Sequence, residues 1–336
     1  MSNNINKKNS YEILKNIKKL RIKNKSILII GTGFMAKEYA NALFQMKITN
    51  VTVIGRNKQN LKIFSDKFNY KTKHGNISKI IKIFPKVDLV IIATSIETMI
   101  PFARILLNNN QTNLLIEKPG TLFFREFKQL KTKKARIRIA YNRITYPNFH
   151  KLKTMIREDG GITSANFTFT EKSDMIDFKK DNKIVYKRWG ISNSLHVIST
   201  VFELIGLPKK ISPYIIGKLN WHPSGSIFVG SGISKKNIPF SYHANWESAG
   251  RWGIEIMTKS NAYRLISLEE IHLCKKNSFV WTKVNFTKAY PSVKQGIAEE
   301  VAVMLDSKLE KYVPLVTLEK AVQFNKIAEK ILGYKN

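Results

Sequence analysis

The residues with the clearest chemical promise form the hexapeptide Gly31-Thr32-Gly33-Phe34-Met35-Ala36. An unbroken apolar run over residues 27 to 30 stops abruptly there, and residues 37 to 46 continue with helical spacing through Tyr39, Ala40, Leu43 and Phe44. The pattern predicts a buried strand, a tight turn and a helix. In such a turn Gly31 permits the bend, Gly33 lets a pyrophosphate approach the backbone, and Ala36 allows close helix-to-strand packing. The helix N-terminus adds free N–H groups and a positive dipole end for phosphates, with Thr32, Phe34 and Met35 completing the cradle. The next strand, residues 51 to 54, runs into Gly55-Arg56-Asn57, where a dinucleotide site for NAD would carry a carboxylate for the ribose 2'-hydroxyl. No carboxylate is present, and the guanidinium fork of Arg56 suits a 2'-phosphate, each charge-assisted hydrogen bond contributing about 1.5 to 3 kcal/mol. NADP(H) is therefore expected in preference to NAD(H).

These residues need a scaffold that brings them to one edge. A further apolar run at 87 to 93 leads through Thr94-Ser95 into a helical stretch at 101 to 107, and 113 to 116 form another strand ending at Glu117-Lys118-Pro119-Gly120. Strands alternating with helices predict a parallel, doubly wound sheet. Ligands bind at the carboxyl ends of such strands, so Thr94, Ser95, Glu117 and Lys118 are expected to face the crevice of Gly31 and Gly33, with Lys118 near a bound nicotinamide. Beyond this half, a helix at 149 to 158 precedes strand-like stretches at 162 to 170, 226 to 229, 241 to 246, 254 to 257, 263 to 267 and 279 to 286. The expected fold class is α/β: an N-terminal Rossmann domain with a doubly wound parallel sheet, plus a C-terminal α+β domain with an open, mainly antiparallel sheet. The expected divisions are a basic extension at 1–25, the nucleotide-binding domain at 26–145, and a substrate-binding and oligomerisation domain at 146–336 that ends in a helix at 313–332.

Composition narrows the classes. The chain has 336 residues, 43% of them hydrophobic, which suffices for sizeable cores and excludes disorder for most of it. Cys274 stands alone, so there is no intramolecular disulfide and no paired Cys-x-x-Cys zinc site, and His222, His243 and His272 lack ligand spacing; no metal is expected. No run reaches the roughly 18 to 20 apolar residues of a bilayer span, and the first 26 residues lack the apolar stretch of a secretory signal, so a cytoplasmic protein without membrane insertion is expected. Within that leader, Ile13, Leu14, Ile17 and Leu20 have helical spacing. They read as a short amphipathic helix on the folded body, the alternative being a membrane-surface or targeting helix. Lys plus Arg number 57 against 24 Asp plus Glu, a net charge of +33. The lysines are spread along the chain among many Asn and Ile, as in proteins encoded by A+T-rich genes, and no helix-turn-helix, zinc-finger or RNA-binding aromatic signature accompanies them. Nucleic-acid association is the remote alternative, and no specific nucleic acid is expected.

Together with the glycine turn, Glu117-Lys118-Pro119 resembles the Gfo/Idh/MocA family, named after glucose-fructose oxidoreductase, inositol dehydrogenase and a rhizopine-catabolism protein. Ala140-Tyr141-Asn142-Arg143, with Pro147 following, is similar to the family's segment at the close of the nucleotide domain. Asn193-Ser194-Leu195-His196, a helix at 197 to 205 and Gly206-Leu207-Pro208 resemble its histidine-bearing helix and following turn, and residues 313 to 332 its final helix. Asn245-Trp246 through Gly250-Arg251-Trp252-Gly253 resembles a branch found with surface-polysaccharide genes. The resemblance implies an NADP(H)-dependent oxidoreductase moving hydride to or from a secondary alcohol or carbonyl of a sugar or nucleotide sugar, as a homodimer or homotetramer. It implies that Lys118 hydrogen-bonds the reacting hydroxyl and that His196, whose ordinary pKa of about 6.5 suits both directions, gives and takes its proton. Tyr141, Asn142 and Arg143 would line the pocket or orient Lys118, and Ser192 and Asn193 would contact substrate. Two positions depart from the family: Ser192 stands where relatives commonly have aspartate, and Met99 where many have histidine. The first leaves open a catalytically silent, cofactor-binding member of the same fold.

Overall fold

The computed structural model describes residues 9–334; the first eight residues of the basic extension lie outside the described residues. Asn9 caps the helix α1 (Ser10–Lys15) by accepting the Tyr11 N–H at 3.0 Å, and Leu14 and Ile17 are buried in the core of the first compact unit. Within the described part of the leader, Leu14 and Ile17 thus face the core of the first unit.

The first sheet consists of β1 (Ile27–Ile30), β2 (Val51–Gly55), β3 (Lys71–His74), β4 (Leu89–Ile92), β5 (Asn113–Glu117) and β6 (Arg136–Ala140). Its order is β3-β2-β1-β4-β5-β6 and every pairing is parallel. That is the doubly wound arrangement, with the strand order reversing beside β1. The helices α2 (Phe34–Gln45), α3 (Lys58–Phe68), α4 (Ile77–Lys82) and α5 (Ile96–Asn108) connect the first five strands. β1 and β4 are buried along their whole length, which is why they read as unbroken apolar runs rather than alternating ones. β3 is the opposite: all four residues are exposed, and it joins through its backbone as a lysine-bearing edge.

After α6 (Pro147–Glu158) the chain builds a second sheet from β7 (Ser164–Phe169), β8 (Pro208–Ile216), β9 (Ile227–Ser234), β10 (Pro239–Asn245), β11 (Trp252–Met257), β12 (Asn261–Ile266), β13 (Glu270–Lys275) and β14 (Thr282–Val284), in the order β14-β13-β12-β11-β7-β10-β9-β8. All neighbours are antiparallel except β7 and β10. Between β7 and β8 lie α7 (Lys183–Lys187), a π-helical turn (Gly190–Ser194) and α8 (Leu195–Ile205). Alternation along β7 and β10 sends Phe167, Phe169, Phe240 and Tyr242 inward, where Phe167 stacks on Tyr242 at 5.3 Å and meets Phe202 of α8 edge-on at 5.9 Å. The opposite face carries Asn166, Ser241 and His243 and leaves Val229 and Ile233 exposed. Sequence expectation and structure agree on the fold class: a parallel Rossmann-type sheet and a separate, mainly antiparallel one.

The compact units are not consecutive stretches. The first takes 1–121, 126–150 and 287–318; the second takes 122–125, 151–286 and 319–336. The expected division put everything from residue 146 onward in one domain, whereas α9 (Ile297–Leu305) returns to the first unit with Ile297, Val301 and Ala302 fully buried in its core. Arg136 of β6 fastens this return by donating to the carbonyls of Val303 and Met304 at 3.0 and 2.9 Å. The final helix, α10 (Leu318–Leu332), is shorter than the expected 313–332. Pro314 disfavours helix for the residue before it, and Val316 bridges Ile139, so this stretch is extended until Thr317.

Candidate functional site

In the first unit the glycine turn is built as the spacing predicts. Gly31 has φ +112°, and a Cβ there would lie 2.1 Å from the Ala93 carbonyl oxygen at the end of β4. No other residue fits. Gly33 differs: a Cβ would meet nothing within 4 Å, so its backbone faces open space. Gly33 also caps α2 without any side-chain hydrogen bond, and no acid stands in the first turn, leaving the amides of the helix start available to an anion. Ala36 is fully buried, Thr32 lays its methyl where a Cβ of Gly55 would go, and Met35 is half-buried.

Phe34 is exposed, and the Lys294 ammonium sits over its ring at 5.0 Å. Lys294 belongs to the returning segment, so its presence at the turn had no signal near the motif. Arg56 is exposed immediately after β2, with its carbonyl accepting from His74 Nε2 at 3.0 Å, and no acid occupies the first turn of α3. Thr94 and Ser95 follow β4; the Thr98 hydroxyl lies 2.8 Å from both the Thr94 hydroxyl and the Ser95 carbonyl, donating its one proton to the carbonyl and accepting from Thr94. An open backbone cradle, free helix amides and the cations of Arg56 and Lys294 form a donor set that fits a pyrophosphate-bearing dinucleotide. Met99 is buried in the first turn of α5.

β5 ends at Glu117, a buried carboxyl whose Oε1 accepts from the Tyr39 hydroxyl at 2.7 Å. Burial pushes Glu117 up to about 7, opposed by the Tyr39 hydrogen bond and by the charges of Lys118 and Lys294. Lys118 follows, half-buried, joined to Pro119 by a cis peptide bond. Glu300 and Glu299 of α9 are buried beside this network; burial raises Glu299 to about 7 and Glu300 well above the ordinary carboxyl range, the neighbouring Glu117 and Glu299 adding to the latter. After β6, Tyr141 and Asn142 are buried and Arg143 is half-buried, its guanidinium 5.8 Å from the Tyr146 ring. Asn142 donates to the Gln295 carbonyl at 3.2 Å, tying the turn after β6 to the returning segment.

In the second unit, the π-helical turn and α8 carry Ser192, Asn193 and His196. Ser192 donates to the Trp189 carbonyl at 3.3 Å. Asn193 Nδ2 and Ser194 Oγ both donate to the carboxylate of Glu171, at 2.7 and 2.5 Å. His196 is buried with its ring 5.8 Å from that of Trp252, whose strand β11 pairs with β7 at Phe169. Sequence reasoning missed Glu171. It lies two residues beyond β7 and accepts from Asn193 and Ser194, on the turn that leads to His196. Among the described residues no group of three or more His, Cys, Asp or Glu side chains is arranged to hold a metal ion, and no helix is long and apolar enough to cross a membrane.

Residues 12–116 match the family model of shikimate/quinate 5-dehydrogenase, which is not the family that the motifs resemble. No curated protein sequence matches the chain. Solved structures share its fold across almost its whole length. UDP-N-acetylglucosamine 3-dehydrogenase from Acidithiobacillus ferrooxidans superposes with a TM-score of 0.69 at 14% identity, covering 92% of this chain and 97% of that one. Biliverdin reductase from Synechocystis sp. PCC 6803, in complex with biliverdin and NADP+, gives 0.67 at 16%, covering 92% and 99%. Levoglucosan dehydrogenase in complex with NADH and L-sorbose gives 0.69 at 15%, covering 92% and 96%. The fold is therefore one on which nicotinamide-dependent dehydrogenases and reductases are built.

Proposed function

We propose that this chain is an NADP(H)-dependent oxidoreductase of the Gfo/Idh/MocA type, acting on a secondary alcohol or carbonyl of a sugar or nucleotide sugar in surface-polysaccharide or glycoconjugate synthesis. The observation that carries the reading is the shared carboxyl edge of the parallel sheet, with the open cradle at Gly33 after β1 and Lys118 directly after β5. Gly31, Thr32, Gly33, Phe34, Met35 and Ala36 hold the pyrophosphate, with Thr94, Ser95 and Glu117 at the ends of the neighbouring strands. Arg56 takes the 2'-phosphate, and its position after β2 with no nearby acid in α3 supports this.

The nicotinamide, when bound, supplies or accepts the hydride. Lys118 hydrogen-bonds the reacting oxygen and orients it, and Tyr141, Asn142 and Arg143 steady the segment beside it. In the second unit, His196 gives and takes the hydroxyl proton, while Glu171 fixes Asn193 and Ser194 on the turn that leads to it. Two proteins of the same fold, UDP-N-acetylglucosamine 3-dehydrogenase and the L-sorbose complex of levoglucosan dehydrogenase, support the substrate class. The lone Cys274 supports a cytoplasmic setting, and the apolar residues Val229 and Ile233 on the open sheet face support a homodimer or homotetramer. Ser192 favours one second reading, a catalytically silent cofactor-binding protein.

Fluorescence titration with NADPH and NADH tests the first step. NADPH is expected to bind more tightly, and Arg56→Ala to weaken NADPH by about 10-fold to 100-fold with little change for NADH, the equivalent of one lost charge-assisted pair. Equal or absent binding of both cofactors sinks the reading. Tight NADPH binding without turnover across a panel of sugars and nucleotide sugars selects the silent alternative.

A further inference from the structure

Gly190 opens the π-helical turn that leads to His196, and its partners play no part in the role proposed above. Its N–H donates to the Tyr334 hydroxyl at 2.9 Å, and a Cβ on it would collide with Leu332 and stand 3.0 Å from the same hydroxyl oxygen. Tyr334 reaches this point because α10 ends on Gly333 at φ +68°, where the chain turns back and the Tyr334 N–H donates to the Glu329 carbonyl at 3.0 Å. The guanidinium of buried Arg188 lies over the Tyr334 ring at 4.7 Å and pairs with Glu329. The second partner of the hydroxyl is His222 Nε2, at 2.7 Å. The Gly225 carbonyl, 2.7 Å from His222 Nδ1, can only accept, so in the neutral ring Nδ1 carries the proton and Nε2 is bare. Nε2 then takes the Tyr334 proton, and the phenol oxygen is left to accept from Gly190. Ser224 Oγ stands farther from Nε2, at 3.3 Å.

We propose that Tyr334 and His222 are positioning residues for His196: by a directed series of hydrogen bonds from Gly190 through Tyr334 to His222 and the Gly225 carbonyl, they fix the amide from which the π-helical turn and the start of α8 are hung. The functional consequence rests on the reading of His196 given above, and the hydrogen bonds do not. His222 is a firm end point. It is fully buried, its ring is 4.5 Å from that of Trp246, and two backbone hydrogen bonds between Leu219 and His222 close its loop. Burial pushes it down to about 4, which agrees with the neutral ring. On its other side Gly190 reaches the histidine helix directly: its carbonyl accepts the Leu195 N–H across the wide π-helical turn, and His196 is the next residue. The turn is thus held at both ends, by Tyr334 at Gly190 and by Glu171 at Asn193 and Ser194.

The test uses the full-length protein, labelled with nitrogen-15 at its six histidines. In wild type at pH 7 the imidazole NMR signals are expected to show His222 as the Nδ1–H tautomer; an Nε2–H tautomer overturns the series. Tyr334→Phe keeps the ring under Arg188 and removes only the hydroxyl. It is expected to shift the signals of His222 and His196 and to leave those of His74 on the first sheet and His272 on the second in place, whereas an unmoved His196 signal overturns the positioning role. In steady-state kinetics Tyr334→Phe and His222→Phe are each expected to lower kcat about 10-fold to 100-fold, the scale of a small misplacement of a reacting group, with NADPH affinity within twofold of wild type. The double variant should lose no more than the worse single one, because both act through the Gly190 amide. Unchanged kcat in Tyr334→Phe, or losses that multiply in the double variant, overturns the proposal. Absence of turnover in wild type itself counts against the oxidoreductase reading, and the His196 signal in Tyr334→Phe still decides the positioning.

Discussion

Replacing Gly33 by alanine separates a binding role from a folding role, because the structure predicts opposite results from it and from Gly31→Ala. At Gly33 φ is −76°, ordinary for any residue, and an added methyl meets no protein atom within 4 Å. Alanine is a poorer helix N-cap than glycine, a loss of up to about 1 kcal/mol, whereas removing a glycine from the unfolded chain returns about 0.4 to 1 kcal/mol. The two effects offset, so the unfolding free energy should stay within about 1 kcal/mol of wild type. The methyl nevertheless fills the space a pyrophosphate would use, and NADPH affinity should drop at least about tenfold, or about 1.4 kcal/mol. At Gly31 the same methyl lies 2.1 Å from a carbonyl oxygen, on a backbone at φ +112°. Strain of that kind costs about 1 to 3 kcal/mol before the overlap is counted. Urea denaturation and NADPH fluorescence titration on both variants decide the matter. Wild-type affinity in Gly33→Ala, or a loss of stability matching that of Gly31→Ala, would refute the assignment of the open space to the cofactor.

Two further outcomes are expected. Lys118→Ala should cut turnover while leaving NADPH affinity nearly unchanged, measured by steady-state kinetics beside cofactor titration; full activity would remove Lys118 from the chemistry. Asp88, which joins the start of β4 to the start of β1 by accepting from Lys25 Nζ, Ser26 N and Ser26 Oγ at 2.9, 2.8 and 2.7 Å, is held down to about 2 by those hydrogen bonds, which outweigh its burial. A depressed carboxyl contributes stability above its unfolded pKa near 3.8 and loses it as pH falls toward 2, so Asp88→Asn should flatten the acid limb of the stability curve between about pH 4 and 2. An unchanged acid limb would show that these bonds carry no net stability.

Much of this was legible in the sequence because burial on both faces leaves a plain signature. β1, β4 and β5 announce themselves as apolar runs, and the glycine spacing locates the turn after the first. β3 was not legible, since Lys-Thr-Lys-His has no apolar residue and is a strand only because β2 offers it a hydrogen-bonding edge. β8 was missed for a similar reason: Pro208 and Pro213 argue against a central strand, and the edge position tolerates them. Glu171 and Glu300 were illegible in a different way. A lone glutamate after a strand, and the second of two glutamates in a helix, read as surface charges until tertiary packing buries them against Asn193 and Tyr39 respectively. The same holds for Lys294, which reaches Phe34 only because the chain comes back.

That return of residues 287–318 has a bearing on how the molecule can be made and cut. The nucleotide-binding half is assembled from two pieces of chain separated by an entire second body, so a fragment ending near residue 150 would present the groove vacated by Ile297, Val301 and Ala302 to water and strip Arg136 of both its carbonyl acceptors and Glu310. Synthesis must finish almost the whole polypeptide before the core beside the first-made sheet is covered by α9, and contacts of such long sequence separation slow folding. Until residues 297–302 emerge, the core face that they cover stays open, a delay set by the order of the residues.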